Sequence, residues 1–394
     1  MQFSRRVSRI SISSTGAVLA NAARLKASGV DLVDFGAGEP DFPTPDNIKQ
    51  AAVVALQNNF TRYTPISGTV ELRQAVVDRH GQDFGSKFRI EECIVTPGGK
   101  YAIFEVVAAT INAGDEVILP VPYWVSFLDI INYAGGKAVL LETSETDGFA
   151  IRSKAVEKLI TAKTKLIIVN SPNNPTGTVV PTDEMESLLH LAVEHDILLL
   201  SDECYGHFVY DGRVPFSLGR SKNRNNLVLI GSLSKTYAMT GWRVGFALGS
   251  SELIARMLKV QSHSTSNANS IAQKAAVEAL LGPQHSIRTM LTEYSRRRDL
   301  IVAGLRSISG IRCNLPEGAF YVYPNVAAYL PKSGLVDTGN LANRLLYEAQ
   351  VATVPGLGFG TAEHLRISYA TSQEEIEKGL RRLDEFFHKL SVES

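Results

Sequence analysis

Short apolar runs alternate along this chain with longer stretches whose apolar residues recur every three or four positions. Runs of this kind, bounded by turn signals, predict buried strands; the three-to-four spacing predicts amphipathic helices. Strands are expected at 31–35, 92–96, 115–119, 138–141, 166–169, 197–200 and 227–230, and 244–248 is a further apolar stretch. Helices are expected at 17–25, 70–80, 100–112, 153–162, 252–259, 271–281 and 286–307, and from Gln373 onward. One more runs to about Asn59, with Thr44 as N-cap, Pro45 as its first residue, and Ile48, Ala51, Ala52, Ala55 and Leu56 on one face. Another starts at an N-cap Thr182, with Asp183 and Glu184 suiting its dipole. Strands alternating with helices imply an α/β fold with a mainly parallel sheet covered on both faces. Two further strands, at 318–322 and 365–369, follow the Gly282-Pro283 interruption and suggest a smaller α+β domain. Residues 46–285 are therefore expected to form a large domain, and 1–45 with 286–394 an N-terminal arm and a small domain.

The ends of the strands carry the chemistry. Ligands of open α/β sheets lie outside the carboxyl ends of strands. The run 227–230 ends at Gly231, and the segment SLSKTYAMTGWRVGF that follows presents Ser232, Ser234, Lys235 and Arg243. A lone lysine on a turn is usually just solvated. Here two hydroxyls and an arginine, a residue suited to bidentate phosphate recognition, share its short segment. Pro97-Gly98-Gly99-Lys100 opens a helix, and free N–H groups at such a turn suit a phosphate. Gly36 and Gly38 begin like a dinucleotide fingerprint, but the third glycine is missing, so they are read as points of close backbone approach. Trp124 follows a strand and a proline-rich turn, where a flat ring could lie against a planar ligand. Asp202 ends an apolar strand, where a carboxylate is costly without a partner. Glu203 alternates to the other face and is read as structural. Arg366, within an apolar strand, needs an anion.

The lysine segment resembles the pyridoxal-phosphate motif of the class I aminotransferases, the aspartate aminotransferase superfamily of fold type I. Its serine, lysine and arginine are matched by Ser232, Lys235 and Arg243, and similarity extends from about Val33 to Ala370. The resemblance implies that Lys235 holds pyridoxal 5′-phosphate as a Schiff base and then moves the substrate's α-proton. Gly98, Gly99, Ser232, Ser234 and Arg243 would hold the phosphate, with Lys100 at the end of that wall. Asp202 would pair with the ring nitrogen, Tyr205 and Asn174 with the phenolic oxygen, and Trp124 would cover the ring. Gly38 and Arg366 would bind the substrate α-carboxylate, with Trp124 and Asn174 beside it. Tyr63, in the irregular loop 60–68, would reach the phosphate of a partner subunit, which implies a homodimer with shared sites. In the aspartate/prephenate branch, a lysine matching Lys100 takes the distal carboxylate, and an arm threonine matching Thr15 accompanies prephenate use. The arm has Ser11-Ile12-Ser13 where that branch usually has Lys-Pro-Ser. The implied reaction is ping-pong transamination between aspartate and 2-oxoglutarate. Transamination of aromatic or neutral amino acids, or a β-lyase or synthase reaction on the same cofactor, are the alternatives.

Composition narrows the classes further. Among 394 residues, Lys+Arg and Asp+Glu balance at 40 each, which gives no electrostatic case for nucleic acid or an anionic membrane. A cofactor-sensing DNA regulator would need a DNA-binding module, and the arm is too short for one. No apolar run approaches the length of a membrane span. The arm carries Arg5, Arg6, Arg9, Arg24 and Lys26 without an acid; an exposed arm leading into a helix is the reading preferred over a transit peptide. Three scattered cysteines make neither a zinc spacing nor a disulfide framework, so a reducing, cytoplasmic setting is expected and no metal is implied.

Overall fold

The structure is a computed structural model, and it describes residues 3–12, 14–330 and 335–392. Its strands, in chain order, are β1 (Val33–Asp34), β2 (Cys93–Thr96), β3 (Glu116–Val121), β4 (Lys137–Glu142), β5 (Thr164–Asn170), β6 (Leu198–Asp202), β7 (Leu227–Ser232), β8 (Gly245–Gly249), β9 (Tyr321–Val322), β10 (Val351–Ala352), β11 (Val354–Pro355) and β12 (Leu365–Ser368). Seven of them form a central sheet in the order β2-β8-β7-β6-β5-β3-β4. Only β8 runs against its neighbours; the other pairings are parallel. Parallel sheets are stable when both faces are covered, which is why these strands read as near-continuous apolar runs rather than alternating ones. Ile167, Leu199 and Leu229 belong to one core cluster, and their neighbours Ile168, Leu200 and Ile230 to another. The two clusters lie on opposite faces of the sheet, because successive side chains point in opposite directions.

Register brings the functional strand ends level. Asn170 pairs with Asp202, and Ser232 pairs with Gly245, which in turn opposes Thr96. The carboxyl ends of β2, β5, β6 and β7 and the start of β8 therefore share one rim.

A second core gathers Phe35, Tyr294, Phe320, Tyr321, Ile367 and Leu383 under the small sheet β11-β12-β9 and the helix Gln373–Val392. That helix and the 23-residue helix His285–Ser307 pack against each other. Among the described residues, no helix is long and apolar enough to cross a membrane.

Several local expectations need correction. Thr44 does not cap its helix, which spans Asp46–Gln57 behind Pro45. The Thr44 hydroxyl instead donates to the Ala238 carbonyl and accepts from the Trp242 indole. Leu56 is exposed and does not share the buried face of Ile48, Ala52 and Ala55. Pro181, not Thr182, is the cap of Thr182–Glu194. The helix at Ser153 ends at Glu157, and the helix from Val70 continues to Phe84, where left-handed Gly85 closes it. The strand expected at 318–322 is only Tyr321–Val322.

Gly245 is where the sheet meets the helix Gly99–Thr110. A Cβ there would lie 2.3 Å from the Gly99 nitrogen and 2.5 Å from the Gly98 carbonyl carbon, both backbone atoms that cannot swing aside. Gly245→Ala should cost about 2 kcal/mol or more of folding stability, as overpacking does. A fall in the urea midpoint at unchanged slope checks this; an unchanged midpoint contradicts it.

Candidate active site

Lys235 lies in the single helical turn Leu233–Thr236 that follows β7 directly. Ser232 caps the turn, its hydroxyl oxygen accepting from the Ser234 N–H at 3.2 Å. The turn points the lysine back over the rim, where its Nζ donates to the Gly38 carbonyl at 2.5 Å. Loss of water around the amine brings its pKa down to about 8; Cys204 and Glu39 pull the other way, and Arg366 and Arg243 push it lower. Asp202 ends β6 and is only 5% exposed. Its Oδ1 accepts from the Cys204 N–H at 3.1 Å. Burial raises its carboxyl to about 6; Glu203 adds to the rise, while the Cys204 hydrogen bonds and Lys235 oppose it. The rim thus holds a base that is partly neutral near pH 8 and an acid that ionises late.

Cations with no acidic partner among the described residues surround this pair. Arg243 has left-handed backbone (φ 57°), and its Nη1 donates to the Thr240 carbonyl at 2.8 Å. Its guanidinium approaches Gly98 so closely that a Cβ on that glycine would meet Nη2 at 2.5 Å. Gly98 (φ 94°) then leads into the amino end of the helix at Gly99, whose first N–H groups and dipole face the rim. Lys100 Nζ lies 4.9 Å above the Trp124 ring, and desolvation followed by repulsion from Arg243 lowers its pKa. Arg366, on β12, is 2% exposed. Its Nη2 donates to the Gly36 carbonyl at 2.7 Å and its Nη1 to Asn174 Oδ1 at 3.3 Å, while Nε has no partner among the described residues. Asn174 is fixed in turn, its N–H donating to Asn170 Oδ1 at 2.8 Å. Among the described residues, no carboxylate forms an ion pair with Arg243, Lys100 or Arg366. Buried arginines elsewhere behave differently: Arg297 meets Asp41, and Arg298 meets Asp211, each at 2.8 Å.

These groups line one cleft of about 350 Å³. Every residue singled out from the sequence lines it, with three exceptions. Gly98 lies just behind Arg243. Tyr63 is 91% exposed and takes no part in the cleft of its own chain. The side chain of Thr15 falls outside the described residues. Glu203 faces away, as strand alternation requires, and accepts from the Ser201 hydroxyl at 3.0 Å. The cleft also contains residues that sequence reasoning passed over: Leu19, Glu39, Ile103, Asn170, Cys204, Thr240 and Tyr321. Glu39 and Asn170 adjoin recognised turns, so proximity could have found them. Tyr321 reads as an ordinary core aromatic in an apolar strand and gives no such signal.

The family profile described as aminotransferase class I and II matches residues 30–383. An aspartate aminotransferase of Bacillus sp. (strain YM-2) is 40% identical over 97% of this chain and 98% of its own length. An aspartate/prephenate aminotransferase of Thermus thermophilus is 44% identical over 96% of this chain and 97% of its own. The crystal structure of an aspartate aminotransferase from Rhizobium meliloti superimposes with a TM-score of 0.94 at 38% identity, covering 99% of this chain and 100% of the other. The chain belongs to the class I and II aminotransferase family, and its architecture is that of the fold type I enzymes. It is an enzyme, an aminotransferase, and the cofactor of such enzymes is pyridoxal 5′-phosphate.

The residues present fit that cofactor. A phosphorylated pyridine aldehyde asks for an amine with a substantial neutral fraction, a buried acid, and cations free of internal carboxylates, all of which this cleft contains. The amine gives a direct check. In the cofactor-free protein, the reactivity of Lys235 toward a trace acylating reagent should rise through about pH 8. Peptide mapping after competitive labelling reads this, and a midpoint at the ordinary lysine value of 10.5 would contradict it.

Proposed function

We propose that the protein transfers the amino group between aspartate and 2-oxoglutarate in a ping-pong cycle. The observation that carries this reading is the set of three cations in one cleft, Arg243, Arg366 and Lys100, with no carboxylate among the described residues paired to them. A phosphate and the two carboxylates of a dicarboxylic amino acid supply the matching anions. Bound pyridoxal 5′-phosphate supplies the carbonyl carbon and the electron-withdrawing ring that make an amino acid's α-proton acidic. Arg243, Gly98, Gly99, Ser232 and Ser234 hold the phosphate. The Asp202 carboxylate receives the ring N–H, and Tyr205 and Asn174 donate to the phenolic oxygen. Trp124 covers the ring. Arg366, with Asn174 beside it and the Gly38 N–H, holds the α-carboxylate; Lys100 holds the distal one. Lys235, already partly neutral near pH 8, carries the proton at the substrate α-carbon.

The same reading takes residues 46–285 as the cofactor domain and the remainder as arm and small domain. It takes the protein as a homodimer in the cytoplasm, serving amino-acid biosynthesis. Val53, Val54, Leu56, Tyr63 and Val70 form an apolar exposed set near one another in the chain, suited to a second copy, with Tyr63 reaching the partner's phosphate. The three cysteines are free. Prephenate as a further amino acceptor is a second reading, favoured by the name of the Thermus thermophilus relative.

Two substitutions test the assignment. Lys235→Ala should abolish steady turnover; turnover close to wild type would overturn the mechanism. Lys100→Ala should raise KM for aspartate and 2-oxoglutarate by about 10- to 100-fold, the worth of one charge-assisted hydrogen bond, and change alanine or phenylalanine as donors little. An equal loss for all donors would remove the case for a distal-carboxylate role.

A further inference from the structure

Tyr321 is fully buried on β9, in the small sheet, yet its hydroxyl enters the cleft. There it lies 2.8 Å from the hydroxyl of Tyr205, a residue that follows the central strand β6. The two rings meet edge to face, with centroids 5.7 Å apart, so the pair is held by packing as well as by the hydrogen bond. Neither hydroxyl has another hydrogen-bond partner in the described structure. A phenol carries one proton, so within the pair one oxygen donates and the other keeps its hydrogen for something else. Which one donates decides what Tyr205 can offer a ligand.

The surroundings settle the direction. The guanidinium of Arg366 lies over the Tyr321 ring, 4.7 Å from its centroid. A cation on the ring face withdraws charge and makes that phenol the more acidic of the two. The same cation acts on Tyr321 as the main influence opposing desolvation, whereas for Tyr205 it ranks behind Tyr321 itself. The more acidic phenol donates to the less acidic one. Donation into Tyr205 also polarises the Tyr205 O–H, because linked hydrogen bonds strengthen one another.

We infer that Tyr321 is a positioning residue that donates its hydroxyl proton to Tyr205 and thereby commits the Tyr205 proton to the phenolic oxygen of the bound cofactor. The inference rests on the proposed contact between Tyr205 and that oxygen. It adds a link between the carboxylate-binding arginine and the cofactor: Arg366 polarises Tyr321, Tyr321 polarises Tyr205, and Tyr205 donates to the ring oxygen. Gly38 belongs to the same junction, since a Cβ there would lie 3.1 Å from the Tyr321 hydroxyl.

The test is the pH titration of the bound cofactor's visible absorbance in holoenzyme variants. Removing a donor to the phenolic oxygen destabilises the oxyanion, so the titration midpoint rises. Tyr205→Phe should raise it, and Tyr321→Phe, which keeps the ring under Arg366, should raise it less, by about half a pH unit. In Tyr205→Phe/Tyr321→Phe the midpoint should equal that of Tyr205→Phe alone, because Tyr321 acts through the missing hydroxyl. A wild-type midpoint in Tyr321→Phe, or additive shifts in the double variant, would overturn the inference and leave the proposed function standing. A Tyr205→Phe midpoint equal to wild type would overturn the Tyr205 contact itself, and the inference with it. A structural role alone would lower the melting temperature without moving the midpoint.

Discussion

The removal of water from one amine and one carboxyl at the rim of the central sheet is the constraint on which the rest depends. Lys235 is brought down to about 8 and Asp202 up to about 6, each chiefly by burial. The signs follow from proton linkage. Below the ordinary lysine value of 10.5, the unfolded chain binds a proton that the folded amine holds less well, so the ligand-free fold gains stability as pH rises from about 8 toward 10.5. Above the ordinary aspartate value of 3.8, the folded carboxyl keeps a proton that the unfolded one releases, so stability is lost as pH rises from 3.8 to about 6. Between about 6 and 8 both groups are charged in the fold, and both desolvation costs are present in full. A ligand that offers an N–H to the acid and takes up the amine relieves both at once. Without such a ligand the two groups destabilise the fold most between about pH 6 and 8.

The sheet meets that cost through register. Asp202, Asn170 and Ser232 end parallel strands, with Asn170 opposite Asp202, and Gly245 lets β8 close against the helix that starts at Gly99. None of these positions is adjustable alone, because a shift of one residue would turn Asp202 to the face now held by Glu203. The small sheet adds the second half of the site: β12 brings Arg366 and β9 brings Tyr321, both packed on the same side of the cleft as Gly36 and Gly38. Side chains from two sheets thus converge on one cleft, where Arg366, Tyr321 and Tyr205 touch in series.

Much of this was legible from residue order. The alternation of apolar runs and helical spacing implied the mainly parallel sheet, and the residues at strand ends marked the rim, since strand ends are where such sheets bind ligands. Lys235, Asp202, Arg243 and Arg366 each stood out because a charged residue at the end of, or within, an apolar run needs a reason. What was not legible had separate causes. Tyr321 lies in apolar company, where an aromatic is indistinguishable from core packing. Thr44 carried a good capping signature, but the tertiary partners Ala238 and Trp242 outcompeted the helix for its hydroxyl. The antiparallel direction of β8 left no trace, because its residues are as buried and apolar as those of its parallel neighbours.

The central claim, that Lys235 is the single amine joined to pyridoxal 5′-phosphate, is tested most directly by reducing the holoenzyme with borohydride and mapping the cofactor mass on its peptides. One cofactor per chain, on the peptide containing Lys235 and on no other lysine, is the predicted result. An adduct on Lys100 or spread over surface lysines, or no adduct at all, would contradict it.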